Sequence, residues 1–352
     1  MSPDAGAIAL DYLYDRNPDP GAIVDIEPGV RWLTMPLPGS LAHINLWLLD
    51  DKDEDGGDGV ALVDTGIFSN TSKEVWEHFF ATGLGGRKVT RLIVTHAHPD
   101  HIGLAGWLCE RLGIELWISE TEWSMGRRFS LDAGRILIDS GLALFRRGGL
   151  GKEAEALAAS RPSMRIPTSP VPENHHRLRD GDVLRIGAHD WRVVVGRGHA
   201  PEHCCLWCPT LDIFIAGDQV LPKITPNVSL WPGRDDPDPL AHFIETLDKL
   251  RDLVPDSVTV LPSHNLPFHR LHNRLRQLRD HHDERMDEVL AACDSPKTAA
   301  DVVPVLFRHR KLDQRQMAFA MGEALAHLQY GVTTRRLARE ERADGAWLFQ
   351  RT

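Results

Sequence analysis

The sequence predicts a mixed, α+β fold, layered in two halves and followed by a smaller helical module. Three observations carry this. Strand-like apolar runs alternate with helical runs between residues 43 and 112. Strand-like runs return from residue 183 and close on a helix and one last strand near residue 262. Beyond residue 268 the pattern becomes helical and ends in two short strands.

RWLTM (31–35) and HINLWLL (43–49) read as strands, rich in β-branched and aromatic residues. DKDEDGGDG (51–59) is a turn, and VALVD (60–64) is a buried strand ending at Asp64-Thr65-Gly66. SNTSKEVWEHFFATG has helical spacing, with Asn70, Thr71 or Ser72 as its cap. RLIVT (91–95) is the next strand, and IGLAGWLCERLG is a helix starting just after His101. Residues 120–176 break the rhythm: they are helical or irregular and carry Arg127, Arg128, Arg135, Arg146 and Arg147. A connection of this size reads as a lid or insertion. VLRI, WRVVVG, CCLWC and DIFIAG follow as strands, separated by the turns GAHD and PTLD. A helix over about 237–254 precedes the strand SVTVLP (257–262) and Ser263-His264. The two stretches resemble related halves, each a sheet with helices outside it.

A long polar helix (270–293) leads to SPKTAADVVPVLF, capped by Ser295 or Thr298. LDQRQMAFAMGEALAHLQYG is a helix that Gly331 stops, and RRLAREERADGAWLFQR reads as two strands around Asp344-Gly345. Three helices and a hairpin give residues 269–352 a winged-helix-like outline, with residues 1–268 as the larger domain.

A length of 352 residues fits two domains. The net charge of −10 argues against non-specific nucleic-acid binding by the whole chain. The C-terminal segment, with fifteen Lys and Arg against twelve Asp and Glu, carries about +3. No apolar run is long enough to span a bilayer, so no membrane partner is expected. MSPDAGAIALDYLYDRNPDP lacks the basic start and apolar core of a secretory signal. The five cysteines form no spaced disulfide framework. Both features suit a cytoplasmic protein.

IVTHAHPDH (93–101) gathers His96, His98, Asp100 and His101 at the C-terminal end of a strand, where α/β sheets present ligands. One metal ion cannot easily use all four, whereas two ions can, with His96 and His98 on one and Asp100 and His101 on the other. Further donors stand just past later strands: His199 after WRVVVG, Asp218 after DIFIAG and His264 after SVTVLP. Imidazole and carboxylate together favour zinc, with iron or manganese as alternatives.

This pattern resembles the metallo-β-lactamase superfamily over about residues 30–268, with its five motifs in order. Asp64-Thr65-Gly66 is similar to the first motif and His96-x-His98-x-Asp100-His101 to the second; His199, Asp218 and His264 match the remaining three. The resemblance implies a four-layer αββα sandwich and two zinc ions. It implies that His96, His98 and His199 bind one ion, that Asp100, His101 and His264 bind the other, and that Asp218 bridges them. Asp64 would accept an N–H from a ligand imidazole and fix its tautomer. An aspartate at 218 is similar to glyoxalase II, lactonases, thioesterase-like members and phosphodiesterases, and unlike secreted β-lactamases. A histidine at 98 departs from the flavodiiron proteins. The C-terminal outline, with GEALAHLQYG, resembles the tail of lactamase-β-like hydrolases, which include ribonucleases and acyl thioesterases.

The expected activity is a dinuclear zinc hydrolase of a small acyl substrate, a thioester or other ester. Asp100 would orient the attacking water and take its proton. The alternatives are a zinc-dependent ribonuclease or phosphodiesterase, with the C-terminal module holding RNA, and a mononuclear iron persulfide dioxygenase. Lys223 and Asn227, just past Asp218, are candidate substrate contacts, and the insertion's arginines are candidates for an anionic group. The C-terminal module could instead serve dimerisation, giving a homodimer. Cys204, Cys205 and Cys208 read as buried strand residues, His203 as a strand start, and His175-His176 and His281-His282 as solvated surface.

Overall fold

The structure is a computed structural model that describes residues 9–39, 41–154, 168–231 and 236–352; the side chains of 132–138 and 314–315 lie outside the description. Among the described residues, two sheets of seven strands each form the centre. The first holds β2 (Ile23–Glu27), β3 (Val30–Pro36), β4 (His43–Lys52), β5 (Asp58–Val63), β6 (Lys88–Ile93), β7 (Leu116–Ser119) and β8 (His176–Leu178), in that spatial order. The second runs β1 (Asp11–Tyr12), β14 (Phe268–His269), β13 (Thr259–Pro262), β12 (Ile213–Gly217), β11 (His203–Cys208), β10 (His189–Gly196) and β9 (Val183–Ile186).

Each sheet repeats one device. The parallel pair β5–β6 is joined by helix α1 (Asn70–Thr82), and the parallel pair β12–β13 by the long helix Pro239–Leu253. A parallel pair needs such a crossover, because a tight turn cannot reverse the chain twice.

Both faces of each sheet are covered, which explains the nearly continuous apolar strand sequences. Trp47 and Leu49 of β4 face Trp191, Val193, Cys204, Leu206 and Ile215 across the space between the sheets. Leu46 and Leu48, one residue out of phase, face Trp76 and Phe79 of α1 and Leu108 of the helix Ala105–Leu112. On the far side Val194, Cys205, Phe214 and Val260 pack beneath Phe243 and Leu247 of Pro239–Leu253 and Leu275 and Leu278 of Leu271–Ala292. Helix, sheet, sheet, helix: three stacked cores make four layers. Each fully buried Leu contributes roughly 1.5–3 kcal/mol.

The remaining helices take numbers in chain order: α2 (Pro99–Ile102), α3 (Ala105–Leu112), α4 (Glu120–Arg147), α5 (Pro239–Leu253), α6 (Leu271–Ala292), α7 (Ala299–Leu306) and α8 (Gln314–Thr333). Helices α7 and α8, the end of α6 and the hairpin β15 (Leu337–Glu341) and β16 (Trp347–Arg351) share a fourth core. Leu144 and Phe145 of α4 enter it.

Several local expectations need correction. Helix α1 is capped by Ser69, whose hydroxyl accepts from the Ser72 N–H, one position before the expected caps. Asp100 and His101 lie on the short helix α2, which Pro99 starts, rather than ahead of a single helix. Gly331 lies inside α8 and does not stop it; Leu337 packs where a side chain would be. His282 is fully buried, not solvated, because positions 271, 275, 278, 282, 286 and 289 form the packed face of α6. His175 is half-buried and stacks on Trp123, while exposed His176 stacks on Trp117. The strands β2 and β7 were not legible as apolar runs; β2 alternates at a sheet edge and β7 spans four residues.

Candidate metal centre

All seven predicted donors converge at one end of the two sheets. His96 and His98 follow β6, and Asp100 and His101 sit on α2; His199 follows β10, Asp218 follows β12 and His264 follows β13. They fall into two groups whose ligand atoms lie within 4.8 Å of one another: His96, His98, His199 and Asp218, and Asp100, His101 and His264. His98 and Asp100 are partly exposed and the others are buried.

Four of the five rings are aimed by what their other nitrogen holds. His199 Nδ1 donates to the Asn227 carbonyl at 3.0 Å, and His264 Nδ1 to the His43 carbonyl at 3.1 Å. His101 Nδ1 donates to Asp64 Oδ2 at 2.8 Å. The Thr95 hydroxyl donates to Asp64 and so accepts from His96 Nδ1 at 3.0 Å. These partners put the proton on Nδ1 and turn the Nε2 lone pair inwards.

The first motif acts twice. Asp64 holds the His101 ring, and the Thr65 hydroxyl donates to the His101 carbonyl at 2.7 Å while accepting from Leu104 N–H at 3.0 Å. Asp64 adopts a left-handed backbone (φ +65°), a strained conformation that these bonds hold in place.

The donor set fits cations on its geometry. His96 Nε2 stands 2.8 Å from His98 Nδ1 and 3.2 Å from His199 Nε2; with the Nδ1 protons of His96 and His199 engaged elsewhere, the Nε2 lone pairs of these two rings face one another. Such an arrangement repels itself unless a positive charge sits between them. His101 Nε2 of the other group and Asp218 Oδ1 are both buried without a hydrogen bond of ordinary geometry. Asp218 joins the groups: its oxygens lie 3.5 Å from the Nε2 atoms of His199, His101 and His264.

The electrostatics divide the same way. Burial, followed by the neighbouring imidazoles, pushes His96 well below the usual histidine range. Burial also lowers His199 against the pull of Asp218. Burial opposes charge on His264 too, yet Asp218 and Asp100 outweigh it and raise the ring to about 10. Asp64, Asp100 and Asp218 likewise outweigh burial at His101 and raise it. Asp100 is held down at about 2, burial being outweighed by His101 and His264. One side offers neutral imidazoles and the other a concentration of carboxylates that demands positive charge.

The remaining candidates fall elsewhere. Lys223 is exposed, its ammonium 5.7 Å from the Tyr12 ring centre. Asn227 reaches the centre through its backbone carbonyl, while its side-chain oxygen accepts from Ser229. Arg127 binds the Val171 carbonyl and Glu173, Arg147 stacks on Trp347, Arg128 and Arg146 are exposed, and the Arg135 side chain lies outside the described residues. Cys204, Cys205 and Cys208 are buried on β11 and, among the described residues, join no donor group. His203 opens β11, and its Nε2 accepts from the Asp218 N–H at 3.1 Å.

Sequence reasoning missed three supporting residues. Thr95 links Asp64 to His96, as a hydroxyl at the end of an otherwise apolar strand could have signalled. His203 holds the backbone of Asp218. Asn45, a polar residue inside HINLWLL, crosses to the other sheet and donates to the carbonyls of Pro262 and Asn265, on either side of His264.

Residues 41–264 match the family model of the metallo-beta-lactamase superfamily, and residues 286–352 that of the metallo-beta-lactamase-like C-terminal domain. A beta-lactamase domain protein from Burkholderia ambifaria shares 42% identity, covering 97% of each chain with a TM-score of 0.86. A metallo-beta-lactamase family protein from Thermus thermophilus shares 30% identity over 93% of this chain and all of its own, with a TM-score of 0.76. An uncharacterized protein of Aquifex aeolicus is 26% identical over 166 residues; the match spans 47% of this chain and 61% of that protein's length. No helix among the described residues is long and apolar enough to cross a membrane. With motifs, layers and donor groups in agreement, the chain belongs to the metallo-beta-lactamase superfamily.

Proposed function

We propose that this protein is a metal-dependent hydrolase that works with two zinc ions on a small acyl substrate, a thioester or other ester. The observation that carries the reading is Asp218, whose carboxylate faces donors of both groups at 3.5 Å. His96, His98 and His199 would hold one ion, and Asp100, His101 and His264 the other, with Asp218 between them. Their nitrogen and carboxylate donors suit zinc, with iron or manganese next. Two such cations supply Lewis acidity, polarising a carbonyl oxygen and lowering the pKa of water towards about 7.

The protein's own groups complete the chemistry. Asp100 is partly exposed, so it can accept a hydrogen bond from an approaching water and orient it, and would take its proton. Substrate would approach from the side of His98 and Asp100, which are partly exposed while the other donors are buried. Burial pushes the Cys204 and Cys205 thiols up, which disfavours a thiolate nucleophile there.

Zinc-loaded protein assayed against thioesters, lactones, phosphodiesters and RNA, alongside metal analysis, tests the reading. Two zinc ions per chain and turnover confined to acyl substrates, abolished by chelation and restored by zinc, are expected. Salt-dependent RNA cleavage, or one iron per chain with persulfide oxidation, would replace it.

A further inference from the structure

Glu122 carries a buried carboxylate that the chemistry above does not use. It lies in the first turn of α4 and is 0% exposed. Its Oε2 accepts from the Ala97 N–H at 2.9 Å, and its Oε1 from the Glu202 N–H at 3.0 Å. Ala97 sits between His96 and His98, and Glu202 lies on the turn between His199 and His203. The two N–H groups belong to segments far apart in sequence, yet both segments present donors of the same group.

The tie is returned. Glu202 Oε2 accepts from the Thr121 N–H at 3.0 Å, and its carbonyl accepts from the Ser119 hydroxyl at 2.8 Å. Ser119 is the N-cap of α4 but makes no cap bond with its own side chain, so Glu202 satisfies a donor at the start of that helix. A carboxylate removed from water is costly unless it is fully hydrogen-bonded, and charge-assisted bonds to backbone N–H groups are strong and directional. A group so held fixes distances between the chains it joins.

We propose that Glu122 is a positioning residue that sets the spacing of the two loops delivering His96, His98 and His199. Resting on the two-cation reading for its ligand, it assigns the start of the insertion a role in metal affinity. Glu202 locks the same junction from the other side. In the second group, His101 is aimed by Asp64 and His264 by the His43 carbonyl, neither of which Glu122 touches.

The test compares wild type, Glu122→Ala and Glu122→Gln by amide hydrogen exchange of the metal-free proteins and by zinc competition with a chelator. Gln keeps one acceptor oxygen of the two. In metal-free Glu122→Ala, segments 93–98 and 197–204 should exchange faster together, by about ten-fold or more, while 259–264 keeps wild-type protection. Zinc affinity of the His96 group should fall about 10–100-fold, that of the His101 group should hold, and Glu122→Gln should fall between. Loosening of only one segment, or of neither, overturns the proposal. So does an equal fall in protection everywhere, which marks plain support of the fold. Should Glu122→Ala fail to fold, the same comparison on Glu122→Gln decides. Wild-type zinc stoichiometry separately tests the two-cation reading, because the exchange pattern of the metal-free protein does not depend on it.

Discussion

Asp218 concentrates the charge of the centre. Three imidazole Nε2 atoms lie 3.5 Å from its oxygens, and its own N–H is tied to His203. Asp218→Ala leaves His96, His98 and His199 on one side and Asp100, His101 and His264 on the other with nothing shared between them. Bound zinc should fall from two ions towards one, with most turnover lost; a variant retaining two ions on metal analysis would contradict the bridge. Asp64 acts a step further out, so a milder result is expected there. Asp64→Asn keeps an acceptor for the Thr95 N–H but removes the negative charge facing His101. Zinc affinity should drop about 10–100-fold, read by chelator competition, and an unchanged affinity would mean that Asp64 only shapes its turn.

Elements place these residues through tight turns and packed helix faces. Gly198 precedes His199 with φ +99°, and a Cβ there would lie 2.5 Å from the Pro239 carbonyl and the Phe243 Cβ of α5. Gly198→Ala should cost about 1–3 kcal/mol in urea unfolding and weaken zinc binding by displacing His199. Wild-type values for both would show that the turn has slack. On α6 and α8, His282 Nδ1 and His327 Nε2 are 3.2 Å apart, and His327 Nδ1 donates to the Glu323 carbonyl. Burial lowers His327 to about 4 and holds His282 well below the usual histidine range. An unfolded histidine titrates near 6.5, so between pH 6.5 and about 4 the unfolded chain binds more protons than the folded one. The pair's contribution to stability is therefore present above pH 6.5 and lost as pH falls. For His327 alone the loss by pH 4.5 is on the order of 2 kcal/mol. Denaturation midpoints followed from pH 7 to 4.5 should slope less steeply in His327→Gln, and an unaltered slope would assign the acid sensitivity elsewhere.

At the scale of the whole molecule, the C-terminal helices share core residues with the rest of the chain. Ala326 of α8 joins the core beneath α5 and α6, and Leu144 and Phe145 of α4 join the C-terminal core. Cores shared this way unfold together. Calorimetry of the full metal-free chain should give one transition whose van't Hoff and calorimetric enthalpies agree; two resolved transitions would show independent domains. The sequence by itself determined the layered class, the order of most strands and helices, and the seven side chains that converge into the two candidate donor groups. Those donors were legible because each follows a short apolar run, where a polar cluster has no packing reason to be. The buried face of α6 was also written in its spacing, with His282 on the same period as Leu271, Leu275 and Leu278. Tertiary structure alone decided that Thr95 links Asp64 to His96, that Asn227 reaches the centre through its carbonyl, and that Glu122 joins the two loops carrying His96, His98 and His199. Those facts depend on which group a side chain meets across the fold, and a backbone N–H or C=O looks the same at every position of a sequence.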